Sequence, residues 1–138
     1  MWLLDTNVIS ELRKGPRCDP NVAGWANSST SDQSFTSVLV IGEIRRGIDS
    51  VKRKDAEQGK KLEAWLEQVR GTFVGRILAV DEQVAELWGR LSVPDPLPVI
   101  DGLLTATAMV RGYTLVTRNI VGLERTGVKL LNPFLTAK

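Results

Sequence analysis

Four polar residues stand where a packed core has no use for them: Asp5 directly after the apolar Trp2-Leu3-Leu4, Glu43 inside the run from Val38 to Ile44, Asp101 just after Pro98, and Asn119 just after Thr114-Leu115-Val116-Thr117. Each has an ordinary explanation. Asp5 can cap the helix that follows it, Glu43 can pair with Arg46 at i+3, Asp101 can lie against a helix dipole, and Asn119 can close a turn. Their conjunction is harder to explain that way. A buried lone carboxylate is costly unless it is paired or bound to a cation, and carboxylates that converge repel one another unless a cation sits among them. Oxygen-only ligands suit Mg²⁺ or Mn²⁺, ions that share their coordination with substrate phosphates. Such an ion activates water and stabilises the leaving oxygen of an in-line phosphodiester displacement.

Composition narrows the chemistry further. The 138 residues contain no histidine and a single cysteine, Cys18. Ser-His-Asp and Cys-His hydrolases, histidine-based ribonucleases and the common catalytic zinc sites all need an imidazole, so they are excluded. Phosphate-cradling and dinucleotide-binding glycine fingerprints are absent. An aspartyl nucleophile at Asp5 usually wants a second aspartate two residues on, where this chain has Asn7.

The elements that must position these acids can be read from periodicity. Residues 1–4 read as a short buried strand, and 6–13 as a helix ended by Gly15-Pro16. Asp19-Pro20 starts a second helix, through Ser28, with Val22 and Trp25 inward. Residues 28–33 read as a Ser/Thr-rich loop, and 33–36 as a strand. Ser37 caps a helix to Ile48 whose Val40, Ile41, Ile44 and Ile48 recur at helical spacing. Leu62, Trp65, Leu66 and Val69 mark a helix over 54–70, and Val84, Leu87, Trp88 and Leu91 another after Asp81. Arg76–Val80, Thr114–Thr117 and Lys129–Leu131 read as strands, and Val99–Arg111 as a helix rich in small residues. Strands alternating with helices, without hairpin turns, give one α/β domain over 1–138 with a parallel sheet. In such a sheet, ligands bind outside the carboxyl ends of the strands, where Asp5 falls.

Net charge is only +2, but it is uneven: the stretch Arg45–Lys61 holds seven basic residues against three acids, a local excess of +4. Arg13, Lys14 and Arg17 form a second cluster. Such runs serve either as solvated helix faces or as footprints for phosphates. The four tryptophans read as core and helix packing, three of them in register with aliphatic neighbours. No run approaches the roughly 18 apolar residues of a membrane span and MWLL lacks the basic flank of a signal peptide, so the expectation is a cytoplasmic protein without a membrane partner.

The segments LLDTNVISEL at 3–12, VIGEIRRGI at 40–48, PLPVIDGLLTATA at 96–108, and the closing YTLVTRN and TGVKLLNPF resemble the PIN domain. In particular they resemble VapC-type toxins of bacterial toxin-antitoxin pairs, along essentially the whole chain. The resemblance implies a three-layer α/β/α sandwich around a short parallel sheet, and an Mg²⁺- or Mn²⁺-dependent endoribonuclease acting on structured RNA such as tRNA or rRNA. It implies that Asp5, Glu43 and Asp101 are the metal-holding catalytic acids, with Thr117 as a supporting hydroxyl and Asn7 close by. It also implies a homodimer held inactive in a hetero-oligomer by an antitoxin whose tail enters the active-site groove. The chain departs from that pattern at the fourth acidic position, where Asn119 or Gly122 stands in place of an aspartate. Asn119 can orient a water or offer a carbonyl oxygen but brings no charge. Arg45 and Arg46, just after Glu43, are expected to meet the RNA backbone. The neutral Asn119 leaves open a non-catalytic PIN-like module that binds RNA or protein.

Overall fold

The computed structural model describes residues 1–29 and 31–135. Its centre is a five-stranded, all-parallel sheet in the order β3-β2-β1-β4-β5. The strands are β1 (Trp2–Leu4), β2 (Ser34–Ser37), β3 (Ile77–Leu78), β4 (Thr114–Val116) and β5 (Leu130–Leu131). Six α-helices among the described residues connect and cover them: α1 (Thr6–Leu12), α2 (Pro20–Ser28), α3 (Val38–Lys52), α4 (Ala56–Thr72), α5 (Glu82–Leu91) and α6 (Val99–Arg111). This is the expected sandwich. No helix among the described residues is long and apolar enough to cross a membrane.

The sheet is short because its strands are buried apolar stubs. Leu3, Leu4, Leu115 and Val116 are almost wholly enclosed and meet Val8 and Ile9 of α1, Val40, Ile44 and Ile48 of α3, Leu66 and Val69 of α4, and Leu104 and Ala108 of α6. Each such leucine, isoleucine or valine contributes about 1.5–3 kcal/mol on burial. Trp2 and Trp25 meet edge to face with centroids 5.9 Å apart, which supports the packing role expected of the tryptophans.

Caps fall where the polar residues predict them. Asp5, Asp19, Ser37, Asp55 and Asp81 each accept a backbone N–H at the start of α1, α2, α3, α4 and α5. Boundaries shift by up to a turn. Helix α3 runs beyond Ile48 to Lys52, with Arg45 and Asp49 paired across one turn at 3.4 Å. The strand expected over 76–80 reduces to Ile77–Leu78, because only Thr36 and Ser37 of β2 pair with it. In the stretch expected as a loop, Ser28 closes α2 and Ser31–Gln33 form a 3₁₀ turn, while residue 30 and residues 136–138 lie outside the described part.

The strand order determines where chemistry can sit. From β1 the chain builds outward to β2 and β3, then returns to β1's other side for β4 and β5. The carboxyl ends of β1 and β4 therefore flank the point where the winding reverses, the usual ligand crevice of a parallel sheet. Helices α1 and α3 begin at this edge because they leave the carboxyl ends of β1 and β2. Helix α6 begins there too, because it runs back to feed the start of β4.

Candidate active site

That edge collects the acids. Asp5 ends β1 and caps α1, Glu43 lies in the second turn of α3, Asp101 in the first turn of α6, and Thr117 and Asn119 follow β4. Asp5 is therefore both helix cap and site residue, and the two readings of it do not compete.

Asp5 is buried, at 7% exposure, yet fully provided with hydrogen bonds. Its Oδ1 accepts the Thr6 N–H at 2.7 Å. Its Oδ2 accepts the Thr117 hydroxyl at 2.8 Å and, at 3.5 Å, the Asn7 amide. Thr117 is itself saturated: it donates to Asp5 and accepts from the Asn119 N–H at 3.1 Å and from the Asn7 amide at 3.3 Å. A hydroxyl has one proton and two lone pairs, so its direction is fixed. Asn7 in turn accepts the Arg118 N–H at 3.2 Å, which ties α1 to the segment after β4. Thr117 and Asn7 thus both lie against Asp5.

Glu43 does not pair with Arg46. Its Oε1 accepts the hydroxyl of Thr6 at 2.6 Å, a contact between residues 37 positions apart that local pattern does not reveal. No periodicity or charge pattern marks a threonine at a helix start as the partner of a distant acid. Asp101 has no donor to its carboxylate among the described residues; only its backbone carbonyl is engaged, by the Thr105 hydroxyl at 2.7 Å. Burial, and after it the charges of Asp5 and Glu43, push the Asp101 carboxyl above the ordinary aspartate range. Asp101 is therefore within electrostatic reach of both other acids.

The position of Asp101 depends on α5. A Cβ on Gly102 would lie 3.0 Å from Cδ1 and 3.1 Å from Nε1 of Trp88, so a larger residue there would make the first turn of α6 or that indole give by a few tenths of an ångström. Asn119 is exposed, and its side-chain amide makes no hydrogen bond among the described residues. Gly122 has φ +86°, backbone that favours glycine and accounts for the residue there.

The two arginines expected on the RNA have different surroundings. The Arg45 guanidinium turns to α4 and forks onto Glu63 at 2.6 and 2.9 Å, because position 45 faces the neighbouring helix; Lys52 binds the same carboxylate. Arg46 is exposed, makes no salt bridge among the described residues, and lines a shallow cavity of about 220 Å³ with Glu43, Val38, Leu39 and Ile100. A larger cavity, about 530 Å³ between α2 and residues 131–135, holds none of the acids.

Three carboxylates and an asparagine carbonyl are oxygen donors of the kind Mg²⁺ or Mn²⁺ takes, and the residues fit such an ion in charge and donor type. They are not closed into a finished cage: among the described residues no group of three His, Cys, Asp or Glu side chains stands ready to hold a metal ion.

Known proteins share this sequence pattern and this fold. The family described as PIN domain matches residues 2–129. Toxin FitB of Neisseria gonorrhoeae is 32% identical over 143 residues, covering 97% of this chain and 99% of the relative. VapC ribonuclease Y4jK of Sinorhizobium fredii is 29% identical over 142 residues, covering 97% and 98%. The structure of FitAB bound to an IR36 DNA fragment superposes with a TM-score of 0.88 at 28% identity, over 100% of this chain and 99% of that one. The match runs through every element that carries one of the acids, and on that ground the chain belongs to the PIN domain family.

Proposed function

We propose that this chain is a Mg²⁺- or Mn²⁺-dependent endoribonuclease, the toxin of a toxin-antitoxin pair, hydrolysing phosphodiesters in structured RNA of the tRNA or rRNA kind. One observation carries the reading: Asp5, Glu43 and Asp101 share the switch-point edge, and burial and the other two charges raise the Asp101 carboxyl with no basic side chain paired to it. When bound, a divalent ion supplies an activated water and offsets charge on the phosphate. The chain's own residues do the rest. Asp5, Glu43 and Asp101 offer ligand oxygens, Thr117 and Asn7 fix the direction of Asp5, and Asn119 orients water through its free amide. Arg46 meets the RNA backbone, which brings affinity and salt dependence rather than base choice.

The names of two relatives, a toxin and a VapC ribonuclease, support the activity. We infer as partners a small antitoxin and a second copy of this chain; the likeness to the FitAB complex supports a hetero-oligomer. The test of the activity is incubation of the purified protein with total tRNA and rRNA, with Mg²⁺ or Mn²⁺ and with chelator. Discrete, chelator-sensitive cuts are expected. A second reading, a non-catalytic RNA- or protein-binding module, draws on the neutral Asn119 and the unclosed set of acids. It predicts RNA retention with no cleavage at any concentration of either metal.

A further inference from the structure

We propose that Thr6 is a positioning residue that aims the Glu43 carboxylate for divalent-cation binding, a role that rests on reading Asp5, Glu43 and Asp101 as a cation site. Thr6 opens α1. Its backbone N–H donates to Asp5 Oδ1 at 2.7 Å, and its hydroxyl donates to Glu43 Oε1 at 2.6 Å. One residue therefore ties the acid that caps α1 to an acid carried on α3. No other hydrogen bond reaches the Glu43 carboxylate among the described residues, while its i+3 neighbour Arg46 lines the same cavity without a salt bridge.

The contact is short and charge-assisted, the class of hydrogen bond that fixes direction best. Without it, Glu43 is free to rotate or to pair with Arg46 across one helical turn. Either movement takes the carboxylate from the place beside Thr6 where the hydrogen bond holds it. Asp5 does not share this weakness, because Thr117 and Asn7 hold it from the β4 side. Loss of the Thr6 hydroxyl thus disturbs one ligand and spares another.

The experiment is a titration of Mn²⁺ into the full chain without RNA, read as free Mn²⁺ by electron paramagnetic resonance, for the wild type, Thr6→Val and Thr6→Ser. Groups that orient a metal's ligands are worth about 10–100-fold in affinity, so Thr6→Val is expected to bind Mn²⁺ at least about tenfold more weakly. Thr6→Ser, which keeps the hydroxyl, is expected to bind as the wild type does. In chelator the thermal midpoint of Thr6→Ser is expected to match that of the wild type, and that of Thr6→Val to fall by roughly several degrees while the protein stays folded at the temperature of the titration. Should the valine variant fail to fold, Thr6→Ala removes the same hydroxyl and carries the same expectation. Wild-type affinity in Thr6→Val, or equal weakening in Thr6→Ser, overturns the role of Thr6 while leaving the cation site standing. A wild-type protein that takes up no Mn²⁺ overturns the cation site itself, and the role of Thr6 with it.

Discussion

Glu63 and Asp101 are both helix-borne acids half open to solvent, and their surroundings act on them in opposite directions. Glu63, on α4, receives Arg45 in a two-pronged contact and Lys52 beside it, and these hydrogen bonds hold its carboxyl down to about 2. Asp101, at the start of α6, has two other acids for neighbours and is pushed up. Among the described residues no salt bridge engages Asp5, Glu43 or Asp101. The chain carries 18 basic residues, so compensation was chemically available. Where an acid joins two helices, a base meets it; at the switch point, none of the three acids is met by one among the described residues.

The largest effect that can break this contrast is on activity. Asp101→Asn keeps the shape of the side chain and removes its charge, so RNA cleavage should fall by about 10³-fold or more, the scale of losing a charged transition-state contact. The same change relieves repulsion and the burial of a charge. The metal-free variant should therefore melt above the wild type, as expected where function is held at the expense of stability. Melting curves in chelator check this, and a lower midpoint for Asp101→Asn would erase the difference between the two regions.

Next in size is the response to metal. A ligand that binds only the folded state at 100 times its Kd stabilises by about 2.7 kcal/mol. Saturating Mn²⁺ should raise the melting midpoint of the wild type clearly, that of Asp101→Asn little, and that of Glu63→Gln as much as the wild type's. A full response in Asp101→Asn would place the ion elsewhere.

The two neighbouring arginines give a smaller contrast. Arg46→Ala should weaken RNA binding and lower the magnitude of the log–log salt slope by about one, as loss of a single phosphate contact does. Arg45→Ala should leave RNA affinity unchanged and lower the thermal midpoint by roughly a few degrees, through the lost contact with Glu63. Binding titrations over a range of salt distinguish them, and equal loss in both variants would contradict the separation.

The smallest effect is on pH dependence, where the two acids should pull in opposite directions. Glu63 binds a proton less readily folded than unfolded, so its contribution is complete above its ordinary value of 4.5 and is lost as pH falls toward about 2. Asp101 binds a proton more readily folded, so its penalty is present above its raised value and disappears as pH falls toward the ordinary 3.8. Acid-unfolding curves should show Glu63→Gln losing the stabilisation that the wild type gains between about 2 and 4.5 as pH rises. Asp101→Asn should instead lose the decline in stability on the upper side of 3.8.

Much of the fold could be read from local pattern, because caps and helical spacing act within one turn. Asp19-Pro20, Ser37 and Asp81 announce their helices, and Leu62, Trp65, Leu66 and Val69 announce a buried face. The strands were legible as apolar stubs but not in length, since pairing depends on a partner strand elsewhere. The three acids stood out because charge in an apolar setting is conspicuous. Their supports did not. Thr6 resembles any threonine at a helix start, and Gly102 any small helix residue, until Glu43 and Trp88 are brought against them. Arg45 and Arg46 were indistinguishable in sequence because only the position of α4 separates their tasks.

The most direct test of the central claim is cleavage of total tRNA and rRNA by the purified wild type and by Asp101→Asn, each with Mg²⁺ and with chelator, with the cut ends mapped. The account predicts discrete cuts for the wild type with Mg²⁺, none with chelator, and none for Asp101→Asn in either condition. Cleavage by Asp101→Asn at the wild-type rate, or by the wild type equally well in chelator, would contradict it.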